Sequence, residues 1–181
     1  YVCRAGNYRK GTNFQYTGAL KVLKVILGYD YLWVNVRVKG GAYGCMCSFG
    51  RTGDSYLVSY RDPNLKRTVD VFEKTGDYIR QFTADERTMT KYIIGALGDM
   101  DVPMTPAVKG SRSASAYLTN LTFEEVQRER DELLLCTQED IQALAGLVDA
   151  VMAQNAVCVV GNSQSIEENR ELFMEVENLF H

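Results

Sequence analysis

Arg37 and Tyr43 flank the segment Arg37-Val38-Lys39-Gly40-Gly41-Ala42-Tyr43-Gly44, where the pattern predicts that a helix ends, the chain reverses and a strand begins. Arginine brings a permanent charge with several N–H donors in a planar fork, and tyrosine brings a phenol O–H. Such a pair makes a recognition element with no chemical engine beside it. The chain has one histidine, His181, so a base or metal for a reaction at this pair has to be supplied from elsewhere. Two plainer readings stand beside the functional one. Arg37, with Lys39, would favour the carbonyl end of a helix dipole, and Tyr43 has the propensity to pack in a strand. Gly40, Gly41 and Gly44 weigh towards binding, because glycine lets a ligand approach the backbone closely. A peptide laid along the strand from Tyr43 to Phe49 would also find main-chain groups to pair with.

Other reactive types group less convincingly. Cys45 and Cys47 are two apart on a predicted strand, on the face expected to carry Tyr43, and read as small core residues. Zinc would need two more ligands at a recognisable spacing, and a nucleophilic cysteine would need an internal histidine as base. Ser59-Tyr60-Arg61-Asp62-Pro63-Asn64 reads as a strand end with Asp62 capping a helix, Pro63 opening it and Arg61 pairing locally. It also stands near the Tyr43 end of a hairpin, where it would line a site. Glu124, Glu125, Glu129 and Asp131, interleaved with Arg128 and Arg130, read as a solvated helix face without chemistry. Asn120-Leu121-Thr122 fits a glycosylation sequon, which only a secreted protein would use.

The elements that would position these residues follow from periodicity and punctuation. Residues 1–6 suit a strand and Gly6–Asn13 a loop. Helical spacing from Thr17 through Leu20, Leu23, Val25, Ile26 and Leu27 predicts a helix stopped by Gly28. Asp30 would cap a second, short helix from Tyr31 to about Val38. Tyr43–Phe49 and Ser55–Tyr60 predict a hairpin around Gly50–Asp54, followed by helix from Pro63 to about Phe82, interrupted near Gly76. Capping boxes are expected at Thr83–Glu86, Thr122–Glu125 and Ser165–Glu168, with a looser one at Thr137–Asp140. Asp101–Ser115, broken by Pro103, Pro106 and Gly110, reads as an exposed loop, and Ala156–Val160 as a buried central strand. An antiparallel hairpin with clustered helices predicts an α+β fold in two layers, a mostly antiparallel sheet covered by helices.

Composition bounds the rest. A chain of 181 residues is expected to form a single domain that buries roughly 70% of its unfolded surface. Its apolar runs are far short of the ~20 residues that span a bilayer, so no membrane partner is expected. Twenty basic against 23 acidic residues give a net charge of −3, which argues against nucleic acid. Five scattered cysteines fit a reducing compartment. Tyr1–Asn7, with no initiator Met and no apolar leader, reads as a strand entered midway, as in a piece of a longer chain.

Taken together, Arg37–Gly44 and Ser59–Asn64 resemble the C-terminal domain of the presequence-protease branch of the insulinase (pitrilysin) family of zinc metallopeptidases. Leu20–Leu27 ahead of Tyr31-Leu32-Trp33, and Lys109-Gly110 after Pro103 and Pro106, extend the likeness along the whole chain. The resemblance implies the fourth domain of a clamshell peptidase built from four similar α+β domains that enclose short unstructured peptides. Its zinc would sit in the first domain on an inverted His-x-x-Glu-His motif that this sequence lacks, so the chain alone is expected to hold no metal and to be inactive. By the same resemblance, Tyr43 would donate a hydrogen bond to the transition state and Arg37 would bind a substrate carbonyl. Gly40, Gly41, Ala42 and Gly44 would border the substrate, and the partners would be the N-terminal domains of the same polypeptide. A non-catalytic homologue or assembly subunit that binds peptide without hydrolysis is the alternative.

Overall fold

The turn Gly50–Asp54 sets the register of the sheet. In the computed structural model, which describes residues 1–179, Gly53 takes φ +98°. Its N–H donates to the Gly50 carbonyl at 3.0 Å, and the Gly50 N–H donates to the Asp54 carbonyl at 2.8 Å. This is a turn closed by a left-handed glycine, the three-residue hairpin loop with a G1 bulge. It joins β2 (Gly44–Phe49) to β3 (Asp54–Tyr60), with Gly44 opposite Tyr60 and Phe49 opposite Ser55. β1 (Val2–Asn7) pairs with the other flank of β3, and β4 (Ala156–Val159) with β1, all antiparallel, in the order β2-β3-β1-β4. His181, the single histidine, lies outside the described residues.

The pleat sends Val2, Arg4, Cys47, Phe49, Ser55, Leu57 and Ser59 to a buried face covered by helices. Cys3, Met46, Tyr56, Val58 and Cys158 share the opposite, more exposed face. Ala156–Val160 is therefore not a central strand. β4 is at the edge, where Val157 and Val159 pack on the core and Ala156 and Cys158 face outwards. A run of apolar residues four long does not distinguish the two positions, since it satisfies either face.

α1 (Ala19–Ile26) buries Ala19, Leu20, Val22, Leu23 and Ile26, the stripe expected of a helix laid on a sheet. Gly28 does not stop it. The chain continues through Leu27–Tyr31 and Trp33–Val38 in widened turns, in which the Leu32 N–H reaches the Leu27 carbonyl and the Lys39 N–H the Val34 carbonyl. Leu27 and Leu32 are fully buried on either side, and that packing outweighs the ~1 kcal/mol a helical glycine costs. Asp30 caps nothing; the backbone around it stays helical and its carboxylate accepts the Tyr92 hydroxyl.

α2 (Leu65–Glu73) and α3 (Thr75–Arg80) realise the interrupted helix, with Asn64 rather than Asp62 at the cap position. α4 (Glu86–Met100) is capped by Asp85, not Thr83. Asp101–Ser115 is mostly helix, because Thr105 accepts from the Val108 N–H and Pro106 occupies the first turn of α5 (Pro106–Leu118), where proline costs nothing. Gly110 is tolerated in that helix, none of whose residues is buried. α6 (Phe123–Leu134) and α7 (Gln138–Ala143) carry the predicted capping boxes at Thr122 and Thr137. α8 (Ala145–Met152) lies under the sheet, and α9 (Ser163–Glu167) starts from Asn162, not Ser165. The fold is α+β as predicted, an antiparallel sheet with helices packed on one side.

Candidate functional site

The widened helix delivers the chain into the glycine turn. Gly41 takes φ +79°, its N–H donates to the Arg37 carbonyl at 2.8 Å, and the Ala42 N–H returns to the Val36 carbonyl at 3.2 Å. A Cβ on Gly40 would lie 2.3 Å from the Val36 carbonyl oxygen, so both glycines are required by the backbone itself. α2 fastens the turn from the side, with the Asn64 amide donating to the Gly40 carbonyl and Arg67 to the Lys39 carbonyl at 2.8 Å. Those two side chains take the role of serving the helix-end carbonyls that the sequence left open to Arg37.

Arg37 instead stacks on its own helix, its guanidinium 3.9 Å from the centroid of the Trp33 ring, at the spacing that places residues on one helical face. The segment that carries it is π-type, an arrangement frequent at functional sites. Burial pushes the Cys45 thiol up, and the charge of Arg37 opposes that shift.

Tyr43 is 58% exposed. Its N–H donates to the Arg61 carbonyl at 3.2 Å. Its ring meets Tyr60 edge-on at 5.5 Å between centroids, and the Arg61 guanidinium lies 5.2 Å from its centroid. Among the described residues no protein group is hydrogen-bonded to its hydroxyl. Gly44 makes room for this stack: a Cβ there would fall 2.2 Å from Tyr60 Cε1. The pattern predicts Tyr43 on the face of Cys45 and Cys47, but its ring packs against Tyr60, which shares the opposite face with Val58 and Tyr56. Cys47 is a core residue, its thiol pushed up to about 12 by burial.

The structure thus places Arg37 and Tyr43 at the two ends of one turn, and the cation over Tyr43 is Arg61, not Arg37. Arg61 does not pair with Asp62 either. The Asp62 carboxylate is taken by Ser59 Oγ at 2.5 Å, Thr68 Oγ1 at 2.7 Å and the Asn64 N–H at 2.9 Å. The sequence places Ser59–Asn64 near the Tyr43 end of the hairpin but not the contacts of Tyr60 and Arg61 with the Tyr43 ring or of Trp33 with Arg37; the available signals were the Trp33/Arg37 helical spacing and a glycine set against an aromatic across the hairpin. Glu129 is a further correction. It is buried, and Arg51 binds its carboxylate through two bonds of 2.6 and 2.5 Å. Among the described residues no cluster of His, Cys, Asp and Glu is placed to hold a metal ion, and no helix is long and apolar enough to cross a membrane.

A family model described as the PreP C-terminal domain matches residues 1–164. The chain is 45% identical over 179 residues to Protein HypA of Clostridium perfringens, covering 99% of this chain and 18% of that protein. It is 37% identical over 181 residues to presequence protease 1, chloroplastic/mitochondrial, of Arabidopsis thaliana, covering 98% and 17%. The mitochondrial presequence protease of Aspergillus oryzae is 35% identical over 153 residues, covering 83% and 14%. The chain spans less than a fifth of the length of each of these relatives. Among solved structures, a conserved protein from Enterococcus faecalis V583 shares the fold, with a TM-score of 0.56 and 19% identity over 81% of this chain and 36% of that one.

Proposed function

Because the chain belongs to the PreP C-terminal domain family, a domain of presequence proteases, which are insulinase-family metallopeptidases, we propose that it supplies substrate-binding and transition-state groups to a zinc site held by another domain of the same polypeptide. The observation that carries this reading is the mounting of Tyr43: an exposed phenol, gripped at its ring by Tyr60 and Arg61 and at its N–H by the Arg61 carbonyl, with a hydroxyl that bonds to none of the described residues. Among the described residues no His, Cys, Asp and Glu are grouped to hold a metal ion. Bound in its own domain, zinc would polarise the water that attacks the peptide.

Within this chain, Tyr43 donates its O–H to the oxyanion that develops on the scissile carbonyl, a role worth ~2.7–4 kcal/mol for a single donor. Arg37, held by Trp33, binds a neighbouring substrate carbonyl and fixes the register of the peptide. Gly40, Gly41, Ala42 and Gly44 keep side chains out of the path between them. Among the described residues the outer flank of β2 has no strand partner, so a short unstructured peptide has a main-chain edge to align with. Because the site is divided between domains, turnover requires that they close on the substrate. The mitochondrial and chloroplastic relatives, and the one from a bacterium, fit an organellar matrix or a bacterial cytoplasm.

Tyr43→Phe in the full-length enzyme tests the reading. It is expected to lower kcat by about 10²–10³ with KM nearly unchanged and zinc content intact. Unaltered kcat on a short peptide overturns the role of Tyr43.

A further inference from the structure

We propose that Arg61 is a positioning residue for the Tyr43 phenol, with Ser59-Tyr60-Arg61-Asp62-Pro63-Asn64 as its mount. The inference rests on the role given to Tyr43 above and names a residue that role alone does not require. Arg61 has φ +48°, a left-handed conformation that glycine or asparagine adopts readily and that other residues keep only where the surroundings impose it. Here the surroundings are visible. Asp62 is clamped by Ser59, Thr68 and the Asn64 N–H, and the Arg61 carbonyl accepts the Tyr43 N–H.

That backbone turns the Arg61 side chain across the hairpin end. Its guanidinium stands 5.2 Å from the Tyr43 centroid while Tyr60 meets the same ring edge-on. Among the described residues Arg61 forms no ion pair, so the contact its charge makes is with the ring. A cation over a phenol restricts the ring to fewer orientations and is attracted to its π face. Tyr43 is exposed and joined to a glycine turn on one side and Gly44 on the other, so without such a grip its hydroxyl would sample many positions. The two motifs, 37–44 and 59–64, are thereby one device: the first presents the phenol and the second aims it.

A double-mutant cycle in the full-length enzyme tests this, with Arg61→Asn, which suits the left-handed backbone, and Tyr43→Phe. Arg61→Asn alone is expected to lower kcat about 3- to 30-fold with KM little changed, and Arg61→Lys, which keeps the cation, to lose less. In the Tyr43→Phe background Arg61→Asn should cause no further loss, since there is no phenol left to aim. Arg61→Gly, equally compatible with the backbone, should behave as Arg61→Asn and separates loss of the guanidinium from any folding defect. An equal loss in both backgrounds, or no change in kcat on Arg61→Asn, overturns the inference while leaving the role of Tyr43 standing. If Tyr43→Phe alone has no effect, both fall.

Discussion

Gly44→Ala adds one methyl group and is expected to damage the site out of proportion to its size. The added Cβ would lie 2.2 Å from Tyr60 Cε1, and since ordinary contact begins near 3.4 Å the ring has to move by 1.2 Å (3.4 less 2.2). Tyr60 is not free to do so without cost, because it stacks on Tyr1 at 6.4 Å and braces Tyr43 at 5.5 Å. Loosening these two contacts costs ~0.5–1.5 kcal/mol each, and alanine in a strand regains ~0.5–1 kcal/mol over glycine. The net loss is about 0–2.5 kcal/mol, a fall in Tm of up to about 10 °C for a domain of this size. Tyr43 follows its brace, and a displacement near 1 Å lowers kcat by about 10²-fold in the full-length enzyme. Thermal melting of the domain and turnover of a short peptide measure the two effects. Gly28→Ala is the control: nothing lies within 4 Å of its Cβ, so it should be neutral or stabilise by up to ~1 kcal/mol. A Gly44→Ala protein with unchanged Tm and unchanged kcat would refute the idea that the Tyr60 ring rests on Gly44 and steadies Tyr43.

Two further outcomes follow from the core. Glu129→Gln should destabilise the domain by about 2–3 kcal/mol in urea unfolding, below the ~3–5 kcal/mol of a fully buried pair because Arg51 is 43% exposed and is rehydrated when freed; a loss under about 0.5 kcal/mol would mean the pair is not structural. Timed alkylation at neutral pH, followed by peptide mass spectrometry, should label exposed Cys158 first. Cys47 and Cys136 should be last, their thiols pushed up to about 12 by burial; rapid labelling of Cys47 in folded protein would contradict its place under α1.

The hairpin, the α1 stripe and the boxes at Thr122 and Thr137 were legible because each is a local signal: a left-handed glycine, a 3.6-residue period, a side chain bonded three residues on. Where sequence reasoning missed, a distant contact had overruled a local preference. Gly28 stays helical because Leu27 and Leu32 are buried on both sides of it. Glu129 looks solvated among its charged neighbours, yet it is buried and its carboxylate is met by Arg51, 78 positions away, from the hairpin tip. Thr83-Ala84-Asp85-Glu86 contains a good cap at Thr83, yet Asp85 caps α4 while the Ala84 N–H is held by Gln138.

By itself the sequence determined that Arg37 and Tyr43 border a Gly-Gly turn, that no internal histidine accompanies them, and that the fold is α+β. Those follow from residue type and near-neighbour spacing, which the chain carries in one dimension. Only the tertiary structure decided which groups touch them. Trp33 holds Arg37, Tyr60 and Arg61 hold Tyr43, and α2 fastens the turn between through Asn64 and Arg67. Those contacts need β3 laid beside β2 and the left-handed turn at Arg61, and it is the packing of the whole sheet against its helices that fixes both.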